Sequence, residues 1–147
     1  MIWVDADALP RAARDILARA ALKREVDVTF VANGWFQKPD VARVEVVLVA
    51  PGEDVADDHI AEHIEAGELC ITSDIPLAAR AVDKGARVIT PYGRELDEES
   101  VQEALSVRDF HTELRESGVQ TGGPKPYDDG AKQKFANALD RWITKYG

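Results

Sequence analysis

Two rhythms of apolar residues run along the first two-thirds of the chain. Short apolar runs alternate with stretches where apolar side chains recur every three or four positions. The first suits strands buried on both faces, the second helices with one buried face. Ile2-Trp3-Val4 reads as a strand. A helix is predicted from about Pro10 to Lys23, with Ala13, Ile16, Leu17 and Ala20 on its buried face and Pro10 suited to a first helical turn. Val26 to Val31 and Val44 to Val49 read as the second and third strands. Between them lies the loop Asn33-Gly34-Trp35-Phe36-Gln37-Lys38-Pro39, marked by Asn-Gly and Pro. A helix from about Asp54 to Glu65, a strand from Leu69 to Thr72, a short helix from Pro76 to Lys84 and a fifth strand from Arg87 to Thr90 complete this part.

The last third is predicted to be helical. One helix, Glu98 to Glu116, carries Val101, Leu105, Phe110 and Leu114. A final helix runs from about Gly130 to Tyr146, its stripe of Phe135, Leu139, Trp142 and Tyr146 assigned to packing on the sheet. Strands separated mostly by helices imply right-handed crossovers and a sheet covered on both faces. The expectation is one three-layer α/β domain over residues 1–147, with a five-stranded, mostly parallel sheet and C-terminal helices.

Composition narrows the class of function. With 147 residues, 45% hydrophobic and 31% charged, the chain has the make-up of an ordinary globular protein. No apolar run approaches the roughly 20 residues of a membrane helix. The opening residues lack the basic flank and apolar core of a signal peptide, so the cytosol is the expected compartment. Cys70, the single cysteine, excludes an internal disulfide or a cysteine-based metal knuckle, and its strand-like setting predicts a buried apolar filler. A net charge of −9 repels polyanions at long range, which disfavours broad nucleic-acid binding. A phosphodiester substrate would therefore need a local basic rim, a metal, or both, and sequence-specific DNA binding is not expected.

Asp5 and Asp7 follow the first strand two residues apart, the spacing that turns both carboxylates to one side of an extended segment. Asp74 follows the fourth strand, in Thr72-Ser73-Asp74, just before a helix. Open parallel sheets bind ligands outside the carboxyl ends of their strands, where strand order reverses. With the order 3-2-1-4-5, assumed by analogy with doubly wound folds, that point lies between strands one and four and the three aspartates converge. The competing roles are a helix N-cap for Asp74 and turn chemistry for Asp5 and Asp7. Asp54 is read as an N-cap and Asp58, sharing a face with Glu62 and Glu65, as part of a solvated stripe. Asp57 borders the buried face set by Ile60, Ala61 and Ile64, where an inward carboxylate is costly unless paired or ligating, so it joins the site. His59 and His63 have zinc-chelating spacing but no evident third ligand, and are read as a surface pair.

At this point a family resemblance emerges. Asp5-Ala6-Asp7-Ala8-Leu9-Pro10, Val31-Ala32-Asn33, Gly52-Glu53-Asp54-Val55-Ala56-Asp57 and Ile71-Thr72-Ser73-Asp74-Ile75-Pro76-Leu77-Ala78 strongly resemble the bacterial YaiI/YqxD family. So do Arg108-Asp109, the stretch from Ser117 to Pro124, and Phe135-Ala136-Asn137-Ala138-Leu139-Asp140-Arg141. That family is similar to PIN-like domains, metal-dependent ribonuclease folds with acids at the carboxyl ends of parallel strands. The resemblance implies that Asp5, Asp57 and Asp74 match the fold's acidic positions. Many PIN nucleases carry a further acid after the fifth strand. Here Pro91-Tyr92-Gly93-Arg94 offers none, leaving Glu95 or Asp97 to substitute. Many family members have cysteine before the proline where this chain has Leu9, which removes a thiol at that position from any mechanism.

The chemistry expected is metal-assisted phosphodiester hydrolysis on RNA, with Asp5, Asp7, Asp57 and Asp74 holding one or two Mg²⁺ or Mn²⁺ ions. Asn33 and Ser73 are the candidate substrate contacts beside them. Trp35 and Phe36 are either base-stacking platforms or loop anchors. Gly122, Gly123 and Lys125, within the glycine-rich stretch, could offer backbone N–H groups and charge to an anion. Arg11, Arg80 and Arg108 are candidates for a basic rim. Two other classes stand beside this reading. One is a non-catalytic RNA- or protein-binding domain that keeps a metal as a clip. The other is a haloacid-dehalogenase-like phosphatase with Asp5 as nucleophile and Asp7 as general acid, which lacks a paired acid after the fifth strand.

Overall fold

The computed structural model describes residues 1–7, 9–52, 54–106 and 127–146. Its elements are β1 (Ile2–Asp5), α1 (Arg11–Arg24), β2 (Val28–Ala32), β3 (Val44–Leu48), α2 (Val55–His63), β4 (Leu69–Ile71), α3 (Ile75–Asp83), β5 (Arg87–Ile89), β6 (Glu95–Leu96), α4 (98–106) and α5 (Asp129–Tyr146). The sheet runs β3-β2-β1-β4-β5-β6. Its first five strands are mutually parallel, in the predicted order, and β6 lies antiparallel to β5.

The sequence pattern does not foreshadow β6. It is two residues long and reached through a tight turn at Gly93, which has φ +87. That turn folds the chain back on itself, pairing Glu95 with Ile89 and Leu96 with Val88. The other bounds move by at most two residues. The second strand is Val28–Ala32 rather than Val26 to Val31, because Val26 packs into the core before the ladder begins. The second helix ends at His63, short of Glu65, where the backbone of Ile64 turns extended. Of the helix predicted over Glu98 to Glu116, residues 98–106 are helical and 107–116 lie outside the described residues.

Period-two alternation divides the sheet into two apolar faces. Ile2, Val4, Val28, Phe30, Leu69, Ile71 and Ile89 meet Leu17 and Ala21 of α1 and Phe135, Leu139 and Trp142 of α5. Val31, Cys70 and Val88 meet Ile60 of α2, Leu77 and Ala81 of α3, and Val101 of α4. The result is three layers, helix–sheet–helix. Cys70 is fully buried, as its setting predicted, and burial pushes its thiol pKa up strongly. The α5 stripe ends earlier than predicted: Ala138 and Ile143 are buried with Phe135, Leu139 and Trp142, whereas Tyr146 is 41% exposed. No helix among the described residues is long and apolar enough to cross a membrane.

Two consequences position the site. β1 and β4 are neighbours from which the chain leaves toward opposite sides of the sheet, so a crevice opens at their carboxyl ends. Asp5 also lies in phase with Trp3, which packs with the α2 and α3 cluster. The β1 carboxylate is thereby directed toward the helices that carry Asp57 and Asp74.

Candidate functional site

The crevice is a cleft of about 400 Å³ lined by Asp5, Asp7, Leu9, Asn33, Gly52, Asp54, Ala56, Asp57, Ser73, Asp74 and Pro91. All four aspartates expected from the sequence line it, as do Asn33 and Ser73. They come from separate elements: Asp5 ends β1, Asp57 lies in the first turn of α2, and Asp74 precedes α3.

A buried threonine, 1% exposed, ties two of these carboxylates together. Thr72 Oγ1 donates to Asp5 Oδ2 at 3.0 Å and accepts the backbone N–H of Asp74 at 3.0 Å. Asp74 also caps its helix, Oδ1 accepting the Leu77 N–H at 3.0 Å. The N-cap role and the cleft position are therefore compatible, because a carboxylate has a second oxygen to spare. Asp7 accepts the Asn33 N–H at 2.9 Å, lashing the end of β1 to the end of β2, and its own N–H reaches Asp5 Oδ1 at 3.4 Å.

Crowded carboxylates resist ionisation. Burial is the main reason the Asp57 carboxyl is pushed up to about 7, and the charges of Asp74, Asp5 and Asp54 add to it, as does a hydrogen bond with Asp74. The Asp5 carboxyl is also raised, burial outweighing its hydrogen bonds from Thr72 and Asp7.

The donor set is all oxygen, the chemistry of a hard divalent cation. Among the described residues, no group of three or more His, Cys, Asp or Glu side chains is already arranged to hold a metal ion. Mg²⁺ does not require such a group, since it keeps several waters and takes one or two carboxylates. A cation among these carboxylates would relieve the repulsion that helps raise the Asp57 carboxyl. On these grounds the residues fit the group.

Sequence reasoning missed two residues. Asp54 occupies the N-cap position of α2 but makes no side-chain cap; its backbone is left-handed, φ 64, and it lines the cleft. That conformation, which Asp tolerates better than most residues, leaves no trace in the sequence. Thr72 had a visible signal, a hydroxyl at the end of an apolar strand next to an aspartate.

Other expectations are redistributed. Arg80 pairs with Asp58 at 2.7 Å, consistent with Asp58 facing solvent, and neither Arg80 nor Arg11 lines the cleft, so neither forms the expected basic rim. Glu95 and Asp97 line a different cleft: the hairpin sets Glu95 opposite Ile89 and runs the chain back along β5 toward Asp97. Phe36 is the loop anchor, its ring 5.1 Å from Phe30, while Trp35 is 87% exposed. His59 and His63 stack at 4.1 Å beside Trp3. Arg108, Gly122, Gly123 and Lys125 lie outside the described residues.

A family model described as "Uncharacterized BCR, YaiI/YqxD family" matches residues 3–145. A UPF0178 protein of Ectopseudomonas mendocina is 49% identical over 144 residues, covering 98% of this chain and 97% of the relative. A UPF0178 protein of Pseudomonas putida is 48% identical, covering 98% and 96%. Another, of Xanthomonas campestris pv. campestris, is 49% identical, covering 98% and 90%. No solved structure matches the chain.

Proposed function

The chain belongs to the YaiI/YqxD family, and from that premise we propose that its aspartate cleft binds Mg²⁺ or Mn²⁺ and hydrolyses phosphodiesters in RNA, in the manner of PIN-like nucleases. One observation carries the reading: Asp5, Asp57 and Asp74 reach a single cleft from β1, α2 and the start of α3, at the reversal of strand order. A fold gains no stability by gathering like charges, so their convergence calls for a ligand.

One or two of Asp5, Asp57 and Asp74 would bind the cation directly and the others through its waters, with Asp7 and Asp54 at the rim. When bound, it would activate a water and offset charge on the departing oxygen. Thr72 fixes the Asp5 carboxylate and the backbone that presents Asp74, so two acids keep their place without substrate. Burial and the neighbouring charges of Asp74 and Asp5 raise the Asp57 carboxyl, and a cation would relieve that repulsion. The exposed Ser73 hydroxyl and the Asn33 amide flank the acids as donors to phosphate oxygens. Trp35, two residues past Asn33 and open to solvent, offers a face on which a base can stack.

Purified protein incubated with Mn²⁺ should cleave single-stranded or structured RNA, and Asp5→Asn and Asp74→Asn should abolish the cleavage. Intact RNA together with unaltered metal binding in both variants would end this proposal. A second reading, a metal-containing domain that binds RNA or protein without cutting, draws on the cleft wall itself: no Lys or Arg among the described residues lines it. Metal-dependent RNA binding without cleavage would select that reading.

A further inference from the structure

The two edges of the sheet are built differently. β6 closes one edge with two residues, whereas β3 forms the other with five, Val44–Leu48. Edge strands are commonly protected by lysines, prolines or bulges. β3 has none of these: it pairs with β2 residue for residue from Val44 to Leu48, and Glu45 is its one charge. Leu48, at its end, is 63% exposed. The loop that leads into β3 packs elsewhere, its Phe36 and Val41 joining the α1–α5 face of the sheet.

The alternation of the ladder shows which backbone groups face outward. The Arg43 C=O accepts the Val28 N–H, and the Val49 N–H donates to the Ala32 C=O, both at 2.9 Å. In a parallel pair one residue turns its N–H and C=O toward the neighbouring strand and the next turns both away. Glu45 and Val47 therefore face β2, in phase with Arg43 and Val49, while Val44, Val46 and Leu48 present their groups to the open side. The Val44 N–H is held by the Val41 C=O at 3.3 Å; the Val46 and Leu48 N–H groups have no acceptor among the described residues.

These groups complement a copy of themselves. About a two-fold axis at Val46, each Val46 N–H meets the Val46 C=O of the other copy, and each Leu48 N–H meets the other's Val44 C=O. The charges agree with this register. Glu45 falls opposite Val47, whereas an axis at Glu45 would set two like charges face to face. The side chains agree as well. Val44 and Val46 belong to the α1–α5 face, so by alternation does Leu48, and the open Leu48 is covered by Val44 of the second copy. The remaining edge, two-residue β6, is too short to carry a further copy, so the assembly closes at two.

We propose that β3 is a dimerisation edge, through which two copies of this chain join their sheets into one by antiparallel pairing centred on Val46. The inference does not depend on the hydrolysis proposed above. Antiparallel pairing sends the two aspartate clefts to opposite ends of the shared sheet.

Sedimentation equilibrium of the full chain, from micromolar to millimolar concentration, should show a reversible monomer–dimer equilibrium. The buffer holds about 0.15 M salt, which screens the repulsion between two copies of charge −9. Val46→Pro removes an N–H that points outward and spares the bonds to β2, so the variant should stay monomeric with an unchanged circular dichroism spectrum. Leu48→Lys, at an exposed position, should weaken dimerisation roughly tenfold, because a two-fold axis counts each substitution twice; it decides the matter if the proline variant fails to fold. In hydrogen exchange the Val46 and Leu48 amides should be slow at high concentration and fast on dilution, while those of Glu45 and Val47 stay slow at both. A parent that remains monomeric throughout, a folded variant of either kind that dimerises as tightly as the parent, or Val46 and Leu48 amides whose exchange ignores concentration would overturn the proposal.

Discussion

Two clefts of nearly equal volume, about 400 and 380 Å³, differ in the charge of their walls: the first carries aspartates without Lys or Arg, the second cations and acids together. The first gathers carboxylates from the carboxyl ends of parallel strands and the helix starts that follow them. The second gathers Arg87, Arg141 and Lys145 with Glu95, Asp97 and two aromatic side chains along an antiparallel hairpin. Their difference lies in how the chain builds them. The acidic cleft sits where the βα connections of a parallel sheet pass, so each acid ends its strand or follows it within ten residues. The second cleft joins β5 to a helix that begins forty residues further on, a pairing that only the folded packing of α5 creates.

The comparison can be broken at the segment the clefts share. The turn holding Gly93 joins Pro91, on the acidic wall, to Glu95, on the wall of the second cleft. A Cβ at Gly93 would lie 2.6 Å from backbone atoms of Lys134 in α5, and φ there is +87. Gly93→Ala should therefore cost roughly 3 kcal/mol in chemical denaturation, by combined strain and overpacking, and should perturb both clefts together.

The next largest effect separates them. Thr72→Val keeps the shape of the side chain but removes the hydroxyl from Asp5 and leaves the Asp74 N–H without its acceptor. A loss of about 2 kcal/mol in stability is expected, with metal affinity falling about tenfold because the acids lose their positioning. The ¹⁵N–¹H indole signal of Trp142, which lines the second cleft, should not move.

The pH response sharpens the contrast further. Asp57, held near 7 against an ordinary 3.8, binds its proton more tightly when folded than when unfolded. Its contribution is fully present below about pH 4 and is lost as pH rises through about 7. In metal-free buffer, urea midpoints should decline from about pH 5 to about pH 7, and Asp57→Asn should flatten that decline. A steeper decline in the variant would show that Asp57 is not the group responsible.

The smallest effect concerns the rim. Trp35→Ala, at a side chain 87% exposed, should leave the midpoint of unfolding within about 0.5 kcal/mol of the parent. RNA affinity should nonetheless weaken by about 1–3 kcal/mol, the worth of one stacked base. Phe36→Ala should do the reverse, because Phe36 is packed against Phe30.

These expectations also show where sequence patterning reaches and where it stops. The alternation of layers follows from local periodicity; the strand order 3-2-1-4-5, assumed by analogy with doubly wound folds, matches the sheet and brings Asp5, Asp7, Asp57 and Asp74 to one cleft. Asp57 was separable from Asp58 by helix phase alone, and the structure places them accordingly: one in the cleft, the other paired with Arg80. The hairpin was not legible, since a two-residue strand has no period to detect. That omission misplaced Glu95 and Asp97, which were expected after the fifth strand but run back beside it. Asp54 was hidden for a different reason, its role depending on a left-handed backbone that its identity permits but does not require. Tyr146 continues the helical stripe in sequence yet lies past the edge of the sheet, where its ring receives Arg87.

The central claim, that the aspartate cleft is built for a divalent cation, is tested most directly by calorimetric titration of Mn²⁺ into the metal-free chain at neutral pH. The parent protein and Asp5→Asn, Asp74→Asn and Arg87→Gln variants are compared. The account predicts saturable binding that releases a proton, weakened tenfold or more by each aspartate substitution and unaffected by Arg87→Gln. No binding to the parent, or equal binding by the two aspartate variants and the parent, would contradict it.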